Sequence, residues 1–259
     1  MSDRPQPAGD YDRFVDWDRR LAREAPFFES TFREHGVKRV IDVGCGSGRH
    51  AIMFASWGPD VTGVDPDDDM LAAARTSAED AGSTAAFVKG GFGDLARLGL
   101  GPADAVTCTG NALPHVGGIE SLRVALDDMA EVTRPGGLLV LHLLNHERIL
   151  TGHMRTMPPV VREDGEGTWV FLRVMDEVPG GIGFDFVTLH RPDGAWGSGA
   201  EWETASRRSV HTALPVSLLV PEVEAAGFAD VRLFGDHAGK PFDVATDESV
   251  ILTGTRRGA

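Results

Sequence analysis

Val40–His50 reads "VIDVGCGSGRH". A short apolar run ends in Asp42, breaks into Gly44, Gly46 and Gly48 spaced by single residues, and resumes as "RHAIMFASW", which reads as a helix ended by Gly58. A strand that passes through bare glycines into a helix brings backbone within contact distance of a ligand. It also aims helix N–H groups at that ligand. Dinucleotide turns read G-x-G-x-x-G, the last interval leaving room for a pyrophosphate. Here the pattern is G-x-G-x-G with a carboxylate two residues ahead of it, which would repel a pyrophosphate and suits a ligand carrying an ammonium group. A purely structural turn accounts for the glycines but not for Asp42.

Outward from this turn the chain keeps one rhythm. "KRVIDVG" is a buried strand; "VTGVD" is a second, feeding a helix over "PDDDMLAAARTSAEDAG" with Pro66 in its first turn and acids at its positive end. "STAAFVKGG" and "ADAVTCTGN" are further strands, and the helix "GIESLRVALDDMAEVTRPGG" leads into the apolar strand "LLVLHLL". Strands apolar throughout, alternating with helices, predict a parallel sheet covered on both faces, a doubly wound α/β domain. Past Asn145 the period changes to two. "TWVFLRVMDEV", "GIGFDFVTLHR" and "AEWETASRRSVHTAL" read as an antiparallel meander, before "LPVSLLVPEVEAAGF" returns to helix and "ADVRLFG" and "ESVILTGTRR" to strand. The expected division is a helical lid segment at 1–36, a ligand-binding α/β core at 37–156, an antiparallel insertion covering the acceptor at 157–213, and elements completing the core at 214–259.

The 259 residues carry a formal net charge of −14. That argues against a nucleic-acid footprint, which needs clustered cations. No run approaches a membrane span, and the start, "MSDRPQPAGD", lacks the pattern of a signal peptide. Two cysteines, Cys45 and Cys108, lie far apart without metal spacing, so a reducing cytoplasm and no metal are expected. A small-molecule partner fits this charge; a homo-oligomer remains open.

The strand ends converge on one edge of the sheet, where ligands bind in open α/β folds. Asp65, ending the second strand, is placed to accept both hydroxyls of a ribose. Phe92, in "KGGFGDL", is placed to cover a purine. In combination, "VIDVGCGSGRH", "VTGVDPDDDML", "GGFGDL" and "RPGGLLVLHL" resemble the successive motifs of class I S-adenosylmethionine-dependent methyltransferases. The resemblance implies a mostly parallel seven-stranded Rossmann-like sheet whose last strand is antiparallel. It implies that Gly44–Gly48 line the methionine part, Asp65 holds the ribose, and Gly91 and Phe92 flank the adenine. Asp42, Cys45, Pro66, Met70, Cys108 and Thr109 complete the expected cofactor set. Many members of the family carry an acid or amide where Gly91 stands, which leaves only backbone for that role here.

A closer similarity is to the glycine and glycine/sarcosine N-methyltransferases. "WDRRLAREAPFF" is similar to their N-terminal helix, so Arg20 takes the place of the arginine that grips the cofactor carboxylate. Tyr11 and Trp17 are expected to close that segment over the cofactor, Trp17 having a core role as its alternative. "GNALPH" resembles "GNS-x-x-H", which places Asn111 and His115 at the acceptor. Where the family has "HRNYD" this chain has "LLNHE", at 143–147 within "LHLLNHERIL", so Leu144 replaces a carboxylate-binding arginine and His146 a tyrosine. Leucine cannot pair with a carboxylate, which speaks against glycine as substrate, and Arg148 or Arg173 are the candidates to stand in. On this alignment Leu144→Arg restores use of carboxylate-bearing amines. His115 is the expected general base, ahead of His142, His146 and His211, and His211 is also placed at the acceptor; His50 is expected to open a helix. The meander, with Trp169, Phe171, Phe184, Phe186 and Trp202, is expected to roof the acceptor pocket. The reaction implied is methyl transfer from S-adenosylmethionine, leaving S-adenosylhomocysteine, to a nitrogen or oxygen of a small molecule. The alternative is a non-catalytic binding or partner subunit of the same fold.

Overall fold

The structure is a computed structural model and describes residues 12–192 and 201–258. Tyr11 lies outside the described residues. The helix α1 (Trp17–Glu34) precedes β1 (Arg39–Val43), α2 (Arg49–Ser56), β2 (Asp60–Asp65), α3 (Asp68–Asp80), β3 (Ala86–Lys89) and β4 (Ala103–Cys108). A 3₁₀ turn at Leu113–Val116 then leads to α4 (Ile119–Val132), β5 (Thr133–Leu144) and α5 (His146–Thr151). The meander is β6 (Val160–Asp164), β7 (Gly167–Val178), β8 (Gly181–Pro192) and β9 (Glu203–Thr212). The chain closes with α6 (Val216–Ala225), β10 (Phe228–Phe234) and β11 (Ser249–Arg256).

Seven strands form one sheet in the order β10-β11-β5-β4-β1-β2-β3. Every neighbouring pair is parallel except those of β11, which runs antiparallel to β10 and to β5. This is the expected architecture, with the last strand reversed. Alternation along the strands explains why they read as apolar throughout. Ile41, Val106, Leu139 and Leu141 pack against α4 and α6, while Val40, Ala105, Leu138 and Val140 pack against Phe27, Phe28 and Phe32 of α1 and Phe54 of α2.

The remaining four strands form a separate antiparallel sheet, β6-β7-β8-β9. The sequence announces three of them and not β6. Its five residues follow two prolines, and it is defined by pairing with β7 from Asp164↔Gly167 to Val160↔Phe171 rather than by its own composition. Along β7 and β8 alternate residues face opposite ways. Phe171, Met175, Ile182 and Phe184 are buried toward the larger sheet, whereas Asp176, Asp185 and Arg208 form an ion-pair group on the other side.

The turn between β1 and α2 is held tightly. Gly48, the residue before α2, has φ +76°, and a Cβ there would lie 2.7 Å from the Phe87 ring and 2.9 Å from Ala74 Cβ. Gly48→Ala therefore combines a left-handed backbone with a clash against core side chains. It is expected to cost about 2–4 kcal/mol and to lower Tm by roughly 5–10 °C, read by thermal unfolding; an unchanged Tm would refute the packing argument.

Candidate functional site

The glycine turn is pinned to β2 by its own backbone. Gly44 N and Cys45 N both donate to Val64 O, at 2.8 and 3.1 Å. Gly44, Gly46 and Gly48 all have positive φ, a conformation that L side chains resist. Asp65, at the end of β2, accepts from Gly46 N at 2.8 Å through Oδ2 and from Asp67 N at 2.9 Å through Oδ1. Burial raises its pKa, while these two backbone donors act against the rise. Pro66 does not enter the first turn as expected: it precedes the N-cap Asp67, whose Oδ1 accepts from Asp69 N and Met70 N and starts the next helix at Asp68.

Asp42 lies beneath the turn. Its Oδ1 accepts from Thr107 Oγ1 at 2.7 Å; its Oδ2 is buried and has no hydrogen-bond partner among the described residues. Burial pushes its pKa up to about 6, against the nearby His50 and the Thr107 hydroxyl. An unsatisfied buried carboxylate oxygen under a glycine turn fits a ligand that brings an ammonium donor. Cys45 is partly covered, and its thiol is pushed up by burial. Cys108 differs from expectation in kind: its side chain is fully buried in the core, which leaves only its backbone to line a site.

At the β3 end, Gly91 N donates to Asp94 Oδ2 at 2.9 Å. So a carboxylate does stand beside Gly91, supplied from three residues along, where the sequence reading left backbone alone. Phe92 packs against the core face that carries α4.

The N-terminal segment spans the opening. Asp12 Oδ1 accepts from Ser47 Oγ at 2.7 Å and from Trp17 Nε1 at 2.8 Å, and its Oδ2 pairs with Arg49 at 2.9 Å. Arg13 pairs with Asp164 at 3.1 Å and also with Glu166. Phe14 meets the rings of Phe171 and Phe186 edge-on, at 5.7 and 5.2 Å. Three consecutive residues thus join the glycine turn to the smaller sheet. Trp17 packs edge-on to His50 at 5.8 Å, half-buried.

Beneath α1 lies a polar cluster that periodicity did not announce. Glu24 is fully buried, holding Arg20 Nε at 2.9 Å and His50 Nε2 at 2.7 Å. Burial works to raise its pKa, yet the His50 hydrogen bond and the charge of Arg20 hold it well below the carboxylate range. His50 is the second residue of α2, as expected, and its other nitrogen lies 3.3 Å from Thr109 Oγ1. Where no metal was expected, Glu24, His142 and His237 bring one ligand atom each within 4.8 Å of one another. With both oxygens of Glu24 already engaged by Arg20 and His50, the group reads as a carboxylate-anchored histidine cluster. It holds Arg20 in place from below.

The acceptor side gathers around Asn111. Its Oδ1 accepts from Leu144 N at 3.0 Å, and its Nδ2 lies 3.4 Å from His211 Nδ1. His211 stacks on Phe184 with ring centroids 4.2 Å apart and meets His115 at 4.3 Å. The lid strand β9, the turn after β4 and the end of β5 therefore converge on one point. Burial depresses His211 to about 2, with the neighbouring His115 and His146 adding to it. His115 is covered by His211 on one side and open on the other; desolvation lowers its pKa too. His146 is a brace rather than a lining group, since its Nδ1 accepts from Leu214 N at 2.9 Å and its ring is buried.

Leu144 packs with Ile149, Met154, Met157, Met175, Ile182 and Phe184. The side chain that replaces the arginine thus packs on an apolar cluster. Leu144→Arg, which the alignment alone favours, would place a guanidinium against the apolar cluster of Ile149, Met175, Ile182 and Phe184. It is expected to destabilise the fold by about 1–3 kcal/mol and to give no gain with carboxylate-bearing amines. A gain in their turnover would restore the alignment's reading. Of the lid aromatics, Trp169 stacks on His190 at 3.7 Å, Phe171 and Phe186 hold Phe14, and Trp202 is exposed.

Residues 40–137 match the family model described as a methyltransferase domain. The chain is 34% identical over 142 residues to the glycine/sarcosine N-methyltransferase of Parasynechococcus marenigrum, covering 55% of this chain and 50% of that protein. It is 36% identical over 143 residues to the glycine N-methyltransferase of Rattus norvegicus, covering 51% of this chain and 49% of that one.

Residues 40–137 form a class I S-adenosylmethionine-dependent methyltransferase domain.

S-adenosylmethionine is the cofactor of such domains. The chain spans about half the length of the curated relatives it matches. Among solved structures, the methyltransferase domain and its lid superpose together on two proteins of low sequence identity. The CcbJ methyltransferase from Streptomyces caelestis has TM-score 0.78 and 23% identity, over 98% of this chain and 97% of that one. The sugar N-methyltransferase KedS8 from Streptoalloteichus has TM-score 0.76 and 22% identity, over 100% of this chain and 96% of that one. Among the described residues, no helix is long and apolar enough to cross a membrane.

The residues that the sequence pointed to at the cofactor, from Asp42 to Thr109, lie along the C-terminal edge of the parallel strands. Those missed are Asp12, Glu24, Asp94, Thr107 and His237. Each meets its partner only through the fold, apart from Asp94, which "GGFGDL" contained in plain view.

Proposed function

We propose that this chain transfers the methyl group of S-adenosylmethionine to a nitrogen of a small molecule held between the sheet edge and the four-stranded lid. The observation that carries the reading is the juncture of Asn111, His115 and His211, which brings a turn of the methyltransferase domain and a lid strand together beside the glycine turn. The two relatives named above are N-methyltransferases, which supports nitrogen over oxygen.

Bound S-adenosylmethionine supplies a methyl group on a positively charged sulfur, already a good donor. Asp65 takes the ribose hydroxyls, and the Asp42 carboxylate serves the ammonium end. Arg20, steadied by Glu24, takes the carboxylate; Gly91 and Phe92 border the adenine. The work left to the chain is alignment and exclusion of water, which in well-oriented systems is worth roughly 7–11 kcal/mol. An amine must be neutral to attack. His115, its pKa lowered by desolvation and its ring still exposed beside His211, accepts the proton of the amine, while Asn111 orients the acceptor.

His115→Gln is expected to lower kcat by about 10²-fold and to abolish one inflection of the pH–rate profile. In the native protein the rate falls as pH drops through the lowered pKa of His115, because the base is lost on protonation. A variant that keeps both rate and profile removes His115 as the base. The test of the function itself is transfer from isotope-labelled S-adenosylmethionine into a small-molecule extract of the native host, resolved by mass spectrometry. A labelled amine is the expected product; no product from protein that still binds S-adenosylhomocysteine would favour the non-catalytic reading.

A further inference from the structure

The lid's inner face carries a cation that the rest of the site does not explain. Arg173 lies on β7 between Phe171 and Met175, both buried toward the larger sheet, and so shares their face. Its guanidinium sits over the ring of Phe14 at 5.2 Å from the centroid. Among the described residues it forms no ion pair and donates no hydrogen bond. Burial lowers its pKa, and the one carboxylate whose charge opposes this is Glu248, beyond ion-pair reach. Arginine stays charged in any such setting. Elsewhere on the lid, Arg208 pairs with Asp176 and Asp185, and Arg13 with Asp164 and Glu166. A half-buried guanidinium on this face without a carboxylate beside it is costly unless something else brings the anion.

Register gives the distance at which that anion would lie. His211 is opposite Ile182 on β8, and Arg173 is opposite Phe186 on the same strand. These positions are roughly 13 Å apart along the strand. Allowing for two side chains reaching into the pocket, the gap between the His211–Asn111 juncture and the guanidinium is on the order of 10 Å. Between them lie Met175 and Phe184, packed with Leu144. Glycine, with one carbon between amine and carboxylate, cannot span this.

We propose that Arg173 anchors an anionic group, phosphate or carboxylate, that the acceptor carries on the far side of an apolar or sugar-sized body from its reacting nitrogen. This rests on the methyl-transfer reading above and names the acceptor class for it: an amine with a remote acid. The arginine absent at position 144 is not replaced in place; the charge arrives from the roof, farther out, and selects a longer molecule.

The test uses the full chain and three six-carbon probes: hexylamine, 6-aminohexanoate with amine and carboxylate at opposite ends, and 6-aminohexyl phosphate. Binding is measured by calorimetry in the presence of S-adenosylhomocysteine, and turnover with labelled S-adenosylmethionine. The expected result is binding of at least one acid-bearing probe about tenfold or more tighter than hexylamine. Arg173→Gln should erase that preference and Arg173→Lys should keep part of it. Which acid wins separates phosphate from carboxylate. S-adenosylhomocysteine affinity, measured on the same variants, reports that the cofactor half is intact. Equal binding of the three probes, no binding of any, or a preference that survives in Arg173→Gln overturns the proposal. Because binding is read without turnover, acid-selective binding with no methylated product would sink the methyl-transfer reading and leave the anion site standing.

Discussion

Asp65→Ala is expected to lower affinity for S-adenosylmethionine and S-adenosylhomocysteine by about 10²–10⁴-fold. Two ribose hydroxyls donating to one carboxylate are charge-assisted bonds, each worth roughly 1.5–3 kcal/mol, and about 1.4 kcal/mol is tenfold in affinity. The loss has a second part. Asp65 also holds Gly46 N and Asp67 N, so its removal unpins the glycine turn from the end of β2. Asp65→Asn separates the two effects: an amide keeps one oxygen to accept with but loses the charge, and should fall between native and alanine. Calorimetry with S-adenosylhomocysteine reads both variants. Unchanged binding in Asp65→Ala would remove the ribose role altogether.

The second large effect is acid unfolding. Four histidines sit in the folded chain well below their usual pKa, all pushed down first by burial: His142 to about 3, His146 to about 4, His211 to about 2 and His237 to about 4. In the unfolded chain each takes up a proton near pH 6.5. Between that pH and about 4 the unfolded state therefore binds more protons, so stability rises with pH in this window and is lost on acidification. Asp42 has the opposite sign. Its carboxyl, raised to about 6, takes a proton in the folded chain that an unfolded aspartate takes only near 3.8, which offsets about one histidine. The net slope approaches roughly 4 kcal/mol per pH unit at most, at about 1.4 kcal/mol per proton. Against a total stability of about 5–15 kcal/mol, that suffices to unfold the protein between pH 6 and 4. Tm should be level from pH 8 to 7 and fall steeply below 6, with near-UV circular dichroism lost cooperatively. A Tm that holds steady down to pH 4.5 would contradict the neutral state of these rings.

The fold was legible because its signals are local. Each parallel strand ends within a few residues of the helix that follows, so "VIDVGCGSGRH" and "VTGVDPDDDML" display both strand and loop in one stretch, and the sheet edge collects them. The same locality put Asp42, Gly44, Gly46 and Asp65 on the page together. What stayed hidden depends on distant partners. Glu24 reads as an ordinary helix acid until His50 and Arg20 close on it; Asp12 reads as a charge in a polar leader until Ser47 and Arg49 meet it. β6 has no pattern of its own and exists by pairing with β7. Leu144 reads as a departure from the family's pattern, and the apolar cluster it packs against, Ile149, Met175, Ile182 and Phe184, is assembled only by the fold.

Asp12, Arg13 and Phe14 touch in turn the glycine turn, the β6 edge and the lid interior. Three residues reach no farther than about 10 Å, so this tripeptide is a short leash with no slack between the two walls of the pocket. A leash of fixed length makes loading order matter. Whatever a first ligand adds to the grip on one end, the second ligand gains by the same factor at the other, because coupling between two binding events is reciprocal.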